Sequence, residues 1–480
     1  MHRKAVQVNR CIPLVFIAKT RFMQKKHQDL GRANINRLLL QLSLPSMLAM
    51  FANAIYNIVD TIFVGRGVGP LGIGAVAIVL PIMAIVSSFA HLVGIGTGTL
   101  MSRELGAGRE DKVNQIAGNG MAMILLLGLF FAAVGELFTD PILKAFGATD
   151  GILPYARDFA RVIFIGMIWF PFSVSTSNYL RVEGNARDAM NAMLLGIGVN
   201  TLLDYLFIFP LDMGIRGAGL ATILGKFATL LYLWHYFSSK KSIIQLKSQH
   251  FRLKKHILKP TFSVGLSGFG HRSSSSLANV ALNHSLGFYG GDMAIAVFGI
   301  IYKTTLFLGM PLFGINQGMQ PIVGYNFGAG KPERIIRTIR LGFAYSLLYG
   351  ILAISLFELF PGKIFSLFTS DSRLLAEGTH AMKIILSMMW LLGISLSTTG
   401  IHQAMGKSAS AFVLSILRWV LLIVPLIFIL PRIGGLGLEG IWLSFPIADT
   451  LAAIIALVIL RRTFKNSGMA ARLVRKTRSG

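Results

Sequence analysis

Cysteine is nearly missing from this chain. Cys11 is the single one in 480 residues, which excludes an internal disulfide framework and any cysteine-rich metal site. Charge is scarce as well. Only 14% of residues are Asp, Glu, Lys or Arg, whereas a soluble domain carries roughly a quarter. Acids are the rarer sign, 20 against 46 Lys and Arg. There is no G-x-x-x-x-G-K-[ST] phosphate loop, no H-E-x-x-H and no G-x-S-x-G, so nucleotide hydrolysis and the common hydrolase chemistries have no motif to use. No stretch between apolar runs is long enough for a soluble catalytic domain. The chain reads as a non-enzyme with no cofactor, and an ion gradient is the remaining source of energy.

Apolar residues are abundant: 54% of the chain is hydrophobic and the mean hydropathy is +0.64. No soluble core could bury that much, so the excess must face lipid. Crossing the hydrocarbon takes about 20 apolar residues in a helix, and Leu38–Val64, Met121–Phe138 and Ala411–Leu430 are clear cases. Twelve such runs fall at 37–64, 72–97, 117–138, 155–180, 188–209, 217–237, 257–286, 293–317, 336–359, 379–404, 410–430 and 438–460.

The net charge of +26 would suggest nucleic acid in a soluble protein. Here Lys and Arg gather in short segments between apolar runs, as the positive-inside rule describes, and basic patches interleaved with aromatics are absent. The expected partners are the lipid bilayer and small organic substrates, not nucleic acid, and the chain is expected to be a monomer. Arg103, Arg109 and Lys112, Arg181 and Arg187, the stretch 240–259, the stretch 331–340, Lys407 and both termini lie on one side. The alternate loops hold few bases and most of the loop acids, such as Glu136, Asp140 and Asp150. Both termini are therefore expected in the cytoplasm, and the chain in the cytoplasmic (inner) membrane as a multi-pass protein. Residues 1–30 are basic. Their apolar patch Ile12–Ala18 is too short to span and lacks a small-residue cleavage site. Residues 1–35 thus read as a cytoplasmic extension, or as sequence upstream of a true start at Met23, rather than a signal peptide.

The chain repeats itself. Glu104-Leu-Gly-Ala-Gly-Arg109 follows the second run and Asn326-Phe-Gly-Ala-Gly-Lys331 the eighth, with Gly106 and Gly328 separated by 222 positions. Gly184-Asn-Ala186 and Gly406-Lys-Ser408 are also 222 apart, and Gly217-Ala-Gly219 answers Gly437-Leu-Glu-Gly440. Each repeat holds six spans, an even number, so both halves share one orientation and are related by an axis along the membrane normal. The expected fold is all-α and polytopic, with 12 transmembrane helices in two six-helix bundles. Its parts are a basic extension (1–35), an N-lobe (36–237), a basic linker (238–256), a C-lobe (257–462) and a basic tail (463–480). The repeated Gly-Ala-Gly loops either end helices in tight turns or act in a cytoplasmic gate.

Acids inside spans are costly and mark function by default. Asp60, Asp204 and Asp449 are the best cases. Asn53, Tyr56, Asn57 and Asp60 recur at i, i+3, i+4 and i+7, one helix face that should meet water. Pro45, earlier in the same helix, removes a backbone hydrogen bond and favours a bend. Asn200 and Asp204 share a face of the fifth span, and Thr222 opens the sixth. At about 1.5 Å per residue, Asp60, Asp204 and Thr222 each lie roughly 6–9 Å inside the outer end of their helices. Two carboxylates, an amide oxygen and a hydroxyl suit a hard cation such as Na⁺. The same pair suits a shared proton, or a polar pair that only holds helices together.

In the other half, Lys303 and Asp449 are candidates to pair, and Arg418 reads as a structural residue that could snorkel near a membrane end. Arg272 and His271, with Ser263, Ser267 and Ser274 on one face, either line the cleft or satisfy a buried network. Met310, Met388 and Met389 serve packing or an adaptable pocket. The candidate substrate cavity comprises Asn53, Tyr56, Asn57, Arg272, Lys303 and Met310. His91, His235 and His402 read as ordinary helix-end or interfacial residues.

Leu42-Ser-Leu-Pro-Ser46 with Asn53…Tyr-Asn-Ile-Val-Asp-Thr-Ile-Phe-Val-Gly65 resembles the first helix of the multidrug and toxic compound extrusion (MATE) transporters. Ser102-Arg-Glu-Leu-Gly-Ala-Gly108, Asn200-Thr-Leu-Leu-Asp204 and Gln317-Gly-Met-Gln-Pro-Ile-Val-Gly-Tyr-Asn-Phe-Gly-Ala-Gly-Lys331 are similar too. The resemblance runs from about residue 36 to 460 and is closest to the bacterial drug-export branch. It implies a secondary antiporter that exports cationic amphipathic drugs or metabolites in exchange for Na⁺ or H⁺. It also implies that Pro45, Asp60, Asn200, Asp204 and Thr222 fall at the family's N-lobe cation site and bending helix. Essential acids that some members carry on spans seven and ten are missing here, which favours N-lobe coupling. The rival reading is a flippase or exporter of lipid-linked precursors or metabolites in the same superfamily.

Overall fold

The computed structural model describes residues 29–239, 241–366, 368–369 and 371–466. Cys11, most of the basic extension and the tail beyond residue 466 lie outside them. The described chain is helical: α1 (Ile35–Gly67), α2 (Pro70–Gly106), α3 (Glu110–Leu137), the short α4 (Thr139–Ala145), α5 (Leu153–Gly166), α6 (Phe170–Val182), α7 (Ala186–Ile208) and α8 (Gly214–Ser238). There follow α9 (Lys255–Gly328), α10 (Pro332–Leu359), the short α11 (Pro361–Phe365), α12 (Ser372–Leu386), α13 (Leu392–Ala404), α14 (Ser408–Ile416), α15 (Val424–Ile429) and α16 (Leu438–Asn466).

Among the described residues, ten helical segments are long and apolar enough to cross a membrane, and the pair α5 and α6, bent by 45°, makes an eleventh. The 74-residue α9 counts twice. A straight helix of that length would run about 110 Å, far beyond a hydrocarbon core of about 30 Å. It breaks at Gly291, whose φ of 64° and ψ of −159° are not helical. Both of its ends return to the same end of α2, with Thr261 against Gly96 and Tyr325 against Gly106. The total is therefore twelve spans in two bundles, as expected from hydropathy and the repeat.

The repeat also reaches details that hydropathy missed. The short helices α4 and α11 start at Thr139 and Pro361, and the fourth and tenth spans break before Phe170 and Leu392; in both cases the pairs are again 222 positions apart. Gly108 and Gly330 have φ of 75° and 66°, Gly184 and Gly406 81° and 70°. These left-handed turns follow α2, the end of α9, α6 and α13, where a side chain would be strained.

The lobes meet through glycine. A Cβ on Gly106 would lie 1.9 Å from the Tyr325 carbonyl oxygen, and one on Gly328 would lie 1.9 Å from that of Arg103. Gly318 packs on Ser43, Gly314 on Met47 and Gly265 on Leu92 in the same way. All these contacts fall in the half of the bundle nearest the basic loops. There Leu39, Leu42, Ile315, Met319, Ile322 and Val323 form one apolar cluster across the lobes. Of the two readings of the Gly-Ala-Gly loops, the last glycine of each makes the turn and the first makes the lobe contact.

The linker is fastened to the N-lobe. Glu183, just past the end of α6 and 3% exposed, accepts hydrogen bonds from Ser242 Oγ (2.6 Å), Tyr236 Oη (2.8 Å) and the backbone N–H groups of Ile243 (3.0 Å) and Ile244 (3.2 Å). Burial pushes its carboxyl above the usual range while these four donors oppose that. Asn114 Oδ1 accepts from Gln245 N (2.8 Å), and Asn119 Oδ1 from Lys254 N (2.8 Å).

Two outcomes follow. Glu183→Ala strands several buried donors, each worth about 1–3 kcal/mol, so limited proteolysis should cut residues 239–254 faster than in the parent. Gly328→Ala should loosen the seam: with Cys11 replaced by Ser and a cysteine placed at the buried Ser102, a maleimide applied from the basic side should label it faster. Unchanged labelling would show that the contact closes nothing.

Candidate functional site

The N-lobe pocket is assembled by close helix crossings. A Cβ on Gly225 of α8 would lie 2.6 Å from Asn200 Cβ, and one on Gly196 of α7 would lie 2.8 Å from the Gly225 carbonyl. This approach sets Asn200 and Asp204 beside Thr222, and α1 brings Tyr56 and Asp60 against them. Asn200, Asp204 and Thr222 are 3%, 1% and 7% exposed, and Asp60 and Tyr56 are half-buried. The carboxyls of Asp60 and Asp204 face each other, Asn200 lies beside Asp204, and the Tyr56 phenol adjoins both acids and the Thr222 hydroxyl.

The polar atoms there are under-used. Asn200 and Asp60 approach Asp204, yet both carboxyl oxygens of Asp204 and both side-chain polar atoms of Asn200 are buried without a hydrogen bond of good geometry among the described residues. Native structures rarely leave such groups unsatisfied, and here four fall on adjacent turns of one helix. The donor set is two carboxylates, an amide, a hydroxyl and a phenol, all hard ligands. A Na⁺ ion, a proton or an organic cation fits it. Asn53 and Asn57 occupy the same side of α1: Asn57 Nδ2 donates to the Asn53 backbone carbonyl (2.8 Å), and the Asn57 backbone carbonyl accepts from Thr61 Oγ1 (2.8 Å). Pro45 is buried within α1, which continues through it without non-helical residues.

The C-lobe departs from expectation. Asp449 does not pair with Lys303. It takes a two-pronged contact from Arg418, with Nε on Oδ1 and Nη2 on Oδ2 at 3.2 Å. Arg418 is 8% exposed and stacks 4.6 Å from the Trp419 ring, so it does not snorkel. Its place in a π-helical turn, Leu417–Ile423, aims the guanidinium inward, and hydropathy carries no sign of such a turn. Lys303 is exposed on α9, and no carboxylate lies within 4 Å of it among the described residues.

Arg272 meets His91 instead, Nη2 to Nε2 at 3.2 Å, while His91 Nδ1 bonds the Ser87 carbonyl at 2.8 Å. An arginine cannot accept, so Nε2 holds the lone pair and the imidazole is neutral. His91 therefore lies mid-helix in α2, not at a helix end, and forms a bridge between lobes. His235 and His402 do stand in last turns, though His402 is fully buried and bonds Thr463 Oγ1 (3.0 Å). Ser267 and Ser274 are buried and bonded whereas Ser263 is exposed, so the three do not share one environment. Met310 is half-buried, one turn before Gly314. The residues of the candidate cavity thus divide: Asn53, Tyr56 and Asn57 belong to the N-lobe pocket, and Arg272, Lys303 and Met310 lie along α9.

Sequence reading missed one cluster. Arg181, counted as a loop base, folds into the lobe seam, where Nη1 donates to Asn178 Oδ1 (3.0 Å) and Nε is buried without a partner. Thr99, Ser102, Gln317 and Gln320 line the same small cavity. A base three positions before the glycine that follows the helix was the available signal.

The MatE family model matches residues 45–206 and 271–429, one block in each half. The chain belongs to the MatE family. It is 28% identical over 428 residues to the multidrug export protein MepA of Staphylococcus haemolyticus, covering 89% of this chain and 94% of that protein. The corresponding protein of Staphylococcus aureus is 27% identical over 431 residues, with the same coverage. Among solved structures, an outward-facing multidrug resistance MATE transporter superposes with a TM-score of 0.87 at 26% identity, covering 93% of this chain and 99% of that one. A MATE in the bent conformation does so at 0.87 and 25%, covering 95% and 99%. The chain is a multi-pass membrane protein of this family.

The Arg418–Asp449 pair should behave as buried pairs do. Asp449→Asn alone leaves an uncompensated cation and should lower stability by about 3–5 kcal/mol, read as thermal unfolding in detergent. The apolar double replacement Arg418→Met with Asp449→Leu should recover most of that loss.

Proposed function

We propose that this protein is a secondary antiporter that exports small organic molecules, cationic and amphipathic ones among them, in exchange for Na⁺ or H⁺. It would act in the cytoplasmic membrane with both termini and the basic linker inside, because the basic segments gather at one end of the bundle. The observation that carries the reading is Asp204. Its carboxyl is buried, faces a second carboxyl and makes no geometrically formed hydrogen bond among the described residues. The similarity to multidrug export proteins over nearly their whole length supports it.

The chemistry follows from like charges at short range. Two neighbouring carboxylates in a low-dielectric site repel strongly when both are ionised, so the pocket is stable only when it holds positive charge. An inorganic ion or proton provides that charge, and so does an organic cation, but charge balance admits one at a time. Competition for Asp60 and Asp204 makes the exchange obligatory. Asn200 and Thr222 complete the oxygen shell for a metal cation, and Tyr56 closes its side. Because Asp60 rides on α1, occupancy of the pocket acts on the helix that contains Pro45, whose missing N–H leaves a weak point in the backbone ladder. The seam at the basic end is closed by glycine contacts. Alternating access then moves the closure from one end to the other.

The test is ethidium efflux from a bacterium lacking its own pumps, with a Na⁺ or pH jump. Asp60→Asn and Asp204→Asn should each cut gradient-driven export by about tenfold or more at equal membrane abundance, and the jump that drives wild type names the ion. Export that persists in both variants would sink the carboxyl-pair mechanism.

A further inference from the structure

A cavity of about 690 Å³ lies on the flank of the N-lobe, between the first four turns of α1 and the first two of α7. Its lining is graded. At the basic end stand Arg37 and Arg187 with Asn34 and Asn191. Deeper in the membrane the wall becomes Leu44 and Leu48, both more than half exposed, with the buried Pro45 between them. From Asn34 to Leu48 the groove extends about 21 Å along α1, the length of a headgroup followed by a good part of an acyl chain.

The charge in this groove is uncompensated. No carboxylate lies within 4 Å of Arg37 or Arg187 among the described residues. Asp188, next in sequence to Arg187, is turned the other way and accepts from Tyr232 Oη (3.0 Å). The N-termini of α1 and α7 both open at this end, and their dipoles favour an anion there, although at α1 Asn34 Oδ1 already accepts from Asn36 N (2.9 Å). An amphiphile with a negative head and apolar tail therefore matches the groove in charge, order and length. A soluble anion would leave the leucine wall bare, and an organic cation would meet two guanidinium groups.

We propose that this groove binds an anionic phospholipid of the cytoplasmic leaflet, its phosphate between Arg37 and Arg187 and its chain along Leu44 and Leu48 against Pro45. Basic pockets between transmembrane helices on the cytoplasmic side recognise anionic headgroups by this chemistry. The leaflet assignment rests on the orientation adopted above. Occupancy of the groove adds a packing surface to α1 where its backbone ladder is interrupted, so the bound lipid stiffens the helix that carries Asp60.

Lipid retention by the full chain, purified in detergent and read by native mass spectrometry, tests this. The probes are phosphatidylglycerol, phosphatidylcholine with the same chains, and inorganic phosphate. Wild type should retain phosphatidylglycerol over phosphatidylcholine. R37Q with R187Q should weaken phosphatidylglycerol by about 30-fold and leave phosphatidylcholine unchanged, while R37K with R187K keeps most of the preference and shows that the fold is intact. Millimolar phosphate should not displace the lipid. Equal retention by wild type and the Gln double variant would overturn the proposal. So would equal retention of the two lipids by wild type, or displacement by phosphate, which would mark a soluble-anion site. No gradient is used, so failure here leaves the antiport reading standing, and a failed efflux assay leaves the lipid result standing.

Discussion

Inside a bilayer there is no water to satisfy a backbone N–H or C=O, and the rest of this architecture depends on that constraint. It makes every span helical and confines irregular backbone to places where something else serves. Gly291 breaks α9 where the chain turns back between spans. The π-helical turn at Leu417–Ile423 lies inside the bundle, beside the Arg418–Asp449 pair. Within a rigid helical frame, polarity must be carried by side chains, and each buried polar side chain needs a partner or a ligand. Arg418 and Asp449 have each other. Arg272 has His91. Asp204 and Asn200 have no geometrically formed hydrogen bond among the described residues, and they place two acids and an amide together where the other buried orphans stand singly or are neutral.

Glycine does the complementary work. Membrane helices gain little from hydrophobic association, since lipid is as apolar as leucine, so small residues that admit close backbone approach set where helices cross. Within the N-lobe the Gly196–Gly225 crossing builds the pocket. Between lobes Gly106, Gly265, Gly314, Gly318 and Gly328 build the seam. The same device thus positions the charged site and closes one end of the bundle.

Hydropathy and an internal spacing of 222 residues were enough to reach twelve helices and two bundles, because lipid forces long apolar runs into helices and duplication copies their order. Asp60, Asn200, Asp204 and Thr222 could be placed at one depth because helical rise is constant. What remained hidden depends on rotation and register rather than on pattern. The π-helical turn rotates Arg418 toward Asp449, and no periodicity reveals a single widened turn. His91 and Arg272 lie 181 positions apart on helices of different lobes, beyond any local signal. Arg181 looked like a loop base because it stands next to a helix end, and only the packing of α6 against the seam turns it inward.

The linker has a mechanical consequence. It is a clamped strap, not a slack tether. Glu183 grips its first half, Asn114 and Asn119 hold its second, and the last hydrogen bond, to Lys254, falls one residue before α9 begins. The C-lobe's first helix is thereby hinged on the N-lobe at a fixed fulcrum, with no spare chain to pay out. Any rearrangement that keeps these bonds must turn about that point, so the lobes cannot slide apart along the membrane plane. Displacement grows with distance from the hinge: small at the basic end, where the glycine contacts lie, and largest at the far rim.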